Sequence, residues 1–217
     1  VAEAAPDGRS AELAALAEPI RAALEAAHQA RESALQACRQ VIQSCGASIR
    51  AVHRREFEAA ARQAAAAEDA LRRAQAALEP FPAVAHAGFL HDAEKEYAEA
   101  RLTAALVHGD PLPSPAQLGV AAVAWLHGLA EAASELRRHT LDRLRAGELE
   151  AAEALLAAMD DVYGLLVTID YPDALTAGLR RATDSFRAVL ERTRGDLTVT
   201  VVQARLEAAL ERIIDPS

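Results

Sequence analysis

Residues 124–138 read AWLHGLAEAASELRR. At 100° per residue, Leu118, Trp125, Leu129 and Leu136 fall on one face of a helix. Ala124, Gly128, Glu131 and Glu135 line up on the other. From Leu118 to Leu126 the segment is apolar on nearly every side. A helix with large side chains on one face and small ones on the other is covered by neighbours, and its small face lets another helix approach closely. The rest of the chain can supply those neighbours. Hydrophobic residues make up 52% of the 217 positions, much of that alanine, and aromatics only 4%. Alanine is the best helix former and strand formers are scarce, so the expected fold is all-α.

Working outward, the pattern divides into seven helices. Residues 1–9 read as a disordered lead-in, and 10–217 as one all-helical domain. Ser10 caps a long first helix over about 11–54, with Pro19 and Gly46 as weak points. A second runs over about 55–78 and is broken by the Pro80 and Pro82 pair. The third spans about 84–107. The fourth starts in the proline-rich turn at 111–115 and ends at Gly147. A fifth covers about 149–168. The sixth covers about 173–192 and is closed by Gly195, after which a seventh runs to about 214. Its opening run at 197–202 (LTVTVV) has strand-like composition but no strand to pair with.

Two acidic pairs stand on two of these helices. Glu96 and Glu99 lie on the third, Glu131 and Glu135 on the fourth. Helical spacing puts each pair on one side of its helix. The apolar stripe of the third helix is Phe89, Leu90, Ala93, Tyr97, Ala100, Ala104 and Val107. Glu96 falls at its edge, and Glu99 one step further out. Glu131 and Glu135 share a groove with Ala124 and Gly128, where a carboxylate is costly unless paired or bound to a metal. Together the four would form an all-oxygen site for a hard divalent cation. Glutamate pairs at this spacing are also common on solvated helices. A ferritin-like di-iron site would need Glu-x-x-His on two helices, and neither pair is followed by that histidine.

The formal charge of −9 argues against a nucleic-acid binder, because phosphate backbones attract a positive footprint. A basic groove can still be built locally. Arg50, His53, Arg54 and Arg55 cluster at the end of the first helix, and Arg137, Arg138 and His139 follow the second acidic pair. Each cluster is either a solvated face or a phosphate-tracking row. Cys38 and Cys45 lie seven apart on one helix, about 10 Å along it, too far to bridge. They read as small buried apolar side chains in a reducing compartment. No apolar run reaches membrane-spanning length and no signal peptide is visible, so the expected location is cytoplasmic.

The segment from Phe89 to about Leu210 resembles the translin family, and within it the translin-associated factor X (TRAX) branch. That branch carries Gln/Lys-Glu-Tyr-x-Glu-Ala, and this chain has Lys95-Glu-Tyr-Ala-Glu-Ala100. The family also carries Leu-x-Gly-Leu-Ala-Asp-x-x-Gly-Glu-Leu-x-Arg. Here the matching run is Leu126-His-Gly-Leu-Ala-Glu-Ala-Ala-Ser-Glu-Leu-Arg-Arg138, with Glu131 for the aspartate and Ser134 for the second glycine. The resemblance implies a seven-helix, translin-like all-α bundle with a long N-terminal helix, assembling into a hollow homo-oligomer, typically an octamer, or with a translin-like partner. It implies a Mg²⁺- or Mn²⁺-dependent endoribonuclease acting on single-stranded RNA. Glu96, Glu99, Glu131 and Glu135 would then be the catalytic metal ligands, with Arg50, His53, Arg54, Arg55, Arg137 and Arg138 gripping RNA. Two other readings stand beside it: a non-catalytic shell that binds single-stranded RNA or DNA, and a structural bundle with no nucleic-acid role.

Overall fold

The computed structural model describes residues 8–85 and 88–214, and every element in it is helical. The order is α1 (Gly8–His53), α2 (Phe57–Leu78), α3 (Pro82–Ala85), α4 (Phe89–His108), α5 (Pro115–Leu118), α6 (Ala122–Arg145), α7 (Leu149–Leu166), α8 (Asp173–Thr176) and α9 (Leu179–Ile214). The all-α expectation holds, and the strand-like run at 197–202 is helical. Residues 1–7 of the expected lead-in lie outside the described residues, while Gly8 and Arg9 already belong to α1.

The expected seven helices become six long ones and three single turns. The extra turns arise where backbone enters the left-handed region. Gly119, at φ +65°, separates α5 from α6, and Ala177 and Gly178, at φ +51° and +82°, separate α8 from α9. Conversely, Gly195 does not stop a helix. It lies inside the 36-residue α9, where a glycine costs about 1 kcal/mol of propensity but leaves the hydrogen-bond ladder intact. Pro19 and Gly46 likewise lie within the unbroken 46-residue α1.

α6 is the central helix, in contact with α4, α7 and α9. Its inventory explains this: Ala124, Gly128, Leu129, Ala130, Ala132, Ala133 and Leu136 are all buried, so no wide polar face remains. The C-terminal part of α1 packs on α2 and α4, with burial beginning only at Ala34. The tight turn after α1 places Arg55 at φ +61°, its N–H donating to the Val52 carbonyl at 2.9 Å. Glu94, almost fully buried on α4, accepts from the Gln75 amide at 2.9 Å and from the Ala121 backbone N–H at 3.1 Å. One carboxylate thereby ties α2, α4 and the start of α6 together. No helix among the described residues is long and apolar enough to cross a membrane.

Candidate metal centre

The centre forms where α4 crosses α6, and one glycine sets the crossing. A Cβ built on Gly128 would lie 2.8 Å from the Ala98 Cβ, the Glu99 nitrogen and the Lys95 carbonyl oxygen. Only a residue without a side chain permits that approach. It brings Glu96 and Glu99 of α4 opposite Glu131 of α6, with one carboxylate oxygen from each within 4.8 Å of the others. That spacing lets one cation bridge all three.

Burial runs opposite to the helical-wheel expectation. Glu99, placed one step outside the apolar stripe, is the deepest of the three at 9% exposed, because α6 covers that side of α4. Burial, then the nearby charges of Glu131 and Glu96, push its pKa up to about 8. The pocket therefore concentrates more negative charge than it can hold without a proton or a cation. Cys45 of α1 lies near enough to feel it, its thiol pushed up to about 12 by burial and then by Glu96 and Glu99, so this thiol is neutral at pH 7.

Glu135 is not in the three-carboxylate group. Its Oε2 accepts from His53 Nε2 at 2.6 Å, and His53 Nδ1 shares a hydrogen bond with His139 Nε2 at 3.0 Å. The His53 bond holds the Glu135 carboxyl below the usual carboxylate range. Burial, then the neighbouring His53, push the His139 pKa down to about 4, so this imidazole is neutral at pH 7. His139 also lines a cavity of about 440 Å³ shared with Arg55, His108 and Arg143.

Lys95 belongs to the centre, although the sequence reading quoted it only as part of a motif. Its ammonium donates to both oxygens of Glu131, each at 2.9 Å, and lies 3.2 Å from Glu96 Oε1. Burial alone would lower its pKa, but the hydrogen bonds and charges of Glu131 and Glu96 outweigh this and raise it. Helical spacing gives no signal for this role, because Lys95 reaches its main partner, Glu131, across the crossing from a position 36 residues away in the chain.

The basic residues divide. Arg50 and Arg55 are exposed near the turn after α1, and Arg138 is exposed on α6. Arg54 is exposed but forked onto Glu56 at 2.9 and 2.8 Å. Arg137 is held by Asp196 at 2.8 Å and by the Thr193 hydroxyl at 3.2 Å. His53 faces Glu135, not solvent, its side chain 5% exposed. His127 accounts for itself by a 2.9 Å bond to the Thr176 carbonyl. Glu131 also borders a second cavity, about 390 Å³, between α6 and the start of α9, where Arg181 is an exposed cation that no sequence motif marks.

No protein-family model matches the chain. An uncharacterised protein of Methanocaldococcus jannaschii is 29% identical over 127 residues, 58% of this chain, and the chain spans 57% of the length of that relative. Among solved structures, a complex of AfC3PO with duplex RNA superposes with a TM-score of 0.79 at 32% identity, covering 87% of this chain and 97% of that one. The crystal structure of AfC3PO gives 0.75 at 31% identity, covering 87% and 98%. Apo-NeC3PO gives 0.75 at 17% identity, covering 92% and 100%, a likeness of fold alone.

Proposed function

We propose that this chain, which belongs to the translin family, is a divalent-metal-dependent endoribonuclease of the TRAX type that acts on single-stranded RNA inside an oligomeric shell. The observation that carries this reading is the convergence of Glu96, Glu99 and Glu131 within 4.8 Å on a buried helix crossing. Three carboxylates are a hard oxygen donor set, and burial that pushes the Glu99 pKa up to about 8 makes a cation there favourable. Glu96, Glu99 and Glu131 would hold a Mg²⁺ or Mn²⁺ ion, which would supply Lewis acidity toward water and the phosphodiester. Glu135, engaged by His53 at 2.6 Å, borders the three without joining them.

RNA approaches across Glu131, through the cavity that Arg181 also borders. Arg50, Arg55 and Arg138 supply phosphate contacts further out, and Arg54, His53 and Arg137 support them from within their pairings. An AfC3PO structure holds duplex RNA; duplex and single strand share the phosphate backbone these arginines recognise. Shell formation, as an octamer of this chain or with a translin-like partner, accounts for the exposed apolar stripes on α1 and α9.

One observation favours a non-catalytic RNA-binding shell. Lys95 already neutralises part of the acidic group, as a structural ion pair would. Cleavage of labelled single-stranded RNA, with and without Mg²⁺, separates the two. Glu131→Ala should abolish cleavage while leaving RNA retention and assembled mass unchanged. Equal cleavage by that variant and the parent rejects the nuclease assignment.

A further inference from the structure

Lys95 poses a question that the metal reading leaves open, namely how many ions the centre takes. Its ammonium touches three carboxylate oxygens, two from Glu131 and one from Glu96, and the side chain is only 20% exposed. The cation is thus built into the same carboxylates that would hold a metal. We propose that Lys95 stays in place as the second positive charge of a centre that holds a single divalent ion. This rests on the metal-dependent reading given above.

The first support is charge. Glu96, Glu99 and Glu131 carry three negative charges when ionised, and Lys95 returns one positive. The remaining two match one divalent ion. Two ions with Lys95 retained would leave the crossing with a net charge of +2, unfavourable beside the buried Glu99. Two ions with Lys95 expelled would require the ammonium to give up three oxygens at once. The neighbouring carboxylates are committed elsewhere: Glu135 to His53 at 2.6 Å, and Glu94 to Gln75 and the Ala121 N–H.

The second support is geometry. Each carboxylate oxygen has two lone pairs, so Glu131 can serve Lys95 and a metal together. An ammonium is a compact point charge that neutralises a phosphate oxygen, but it does not lower the pKa of a bound water as a metal does. Lys95 therefore replaces only the charge-neutralising member of an ion pair. It is paired at 2.9 Å with Glu131, which borders the Arg181 cavity from which RNA would approach.

The test counts Mn²⁺ bound per chain from the paramagnetic resonance signal of free Mn²⁺, using the assembled protein without RNA. The parent and Lys95→Arg should bind one ion per chain. Lys95→Gln, which restores an unbalanced negative charge, should bind a second, and its RNA cleavage should fall by roughly tenfold or more, with partial recovery in Lys95→Arg. Two ions in the parent overturn the proposal, since Lys95 is then displaced. A single ion in folded Lys95→Gln also overturns it, whatever the affinity, because Lys95 is then a competitor or a structural pair. If Lys95→Gln does not fold, the count in the parent still decides. No ion in the parent, with Glu99→Gln indistinguishable from it, removes the metal centre itself and this role with it, a result distinct from the other two.

Discussion

Glu99 concentrates the physics of the centre in one side chain. Its native pKa of about 8 lies well above the roughly 4.3 of an unfolded glutamate. Between those values the native state keeps a proton that the unfolded chain has lost, so the ion-free protein loses stability as pH rises. His139 works in the opposite sense. Its native pKa of about 4 lies below the ordinary 6.5, so stability falls as pH drops through that interval. The two slopes cancel between about 4.5 and 6.5, leaving a net loss from about 6.5 to 8. Thermal melts in chelator across pH 5–9 should show that fall. Glu99→Gln should remove the fall above pH 6.5, uncover the rise that His139 gives below it, and be more stable than the parent at pH 8 by up to roughly 5 kcal/mol, while losing metal binding. Divalent binding at pH 7 should release up to about one proton per chain, read by calorimetry in two buffers of different ionisation enthalpy. No proton release would mean that Glu99 is already ionised. The carboxylates themselves were legible from spacing and motif. Their depths were not, because a helical wheel knows one helix, and Glu99 is buried by its neighbour.

At the scale of elements, two glycines make opposite predictions. At Gly128 the built Cβ meets backbone of α4 at 2.8 Å, and backbone cannot swing aside as a side chain can. Gly128→Ala should force α4 and α6 apart and cost about 1–3 kcal/mol. It should also weaken Mn²⁺ binding, since the same crossing sets the separation of Glu96 and Glu99 from Glu131. Chemical denaturation and a metal titration measure the two effects independently. Gly195 faces open space, with nothing within 4 Å of its built Cβ, in the interior of α9. Gly195→Ala should stabilise by about 0.5–1 kcal/mol through helix propensity alone; a loss of stability there would show that α9 needs flexibility at that point. The sequence pattern exposed the first glycine correctly, through the line of small residues at Ala124 and Gly128. It misread the second as a stop, because glycine ends a helix only where its backbone turns left-handed, as at Gly109 and φ +74°. Composition alone does not say which glycine does so.

At the scale of the whole molecule, the described residues leave two apolar stripes uncovered. Leu13, Leu16, Ile20 and Leu24 are exposed along the first half of α1, and Val199, Val202, Leu206 and Leu210 along the second half of α9. Each recurs at three or four residues, so each forms one helical face. The pattern was readable in the sequence, but periodicity does not reveal whether a face meets its own chain or another. In α1 burial begins only at Ala34. A helical arm that rests on nothing is marginal in water, because helix formation relies on packing of its apolar face. Covering a large aliphatic side chain contributes about 1.5–3 kcal/mol, so covering the four on one stripe adds up to roughly 6–12 kcal/mol in favour of the ordered arm. Leu16→Glu combined with Ile20→Glu puts two charges in the middle of the α1 stripe. Light scattering should show a smaller assembled mass for this variant, and circular dichroism a loss of helix corresponding to part of the arm. The core of each chain, which starts further along α1, should melt with little change. Unchanged mass and unchanged helicity together would mean that the α1 stripe is not an assembly surface and that the arm holds its helix unaided.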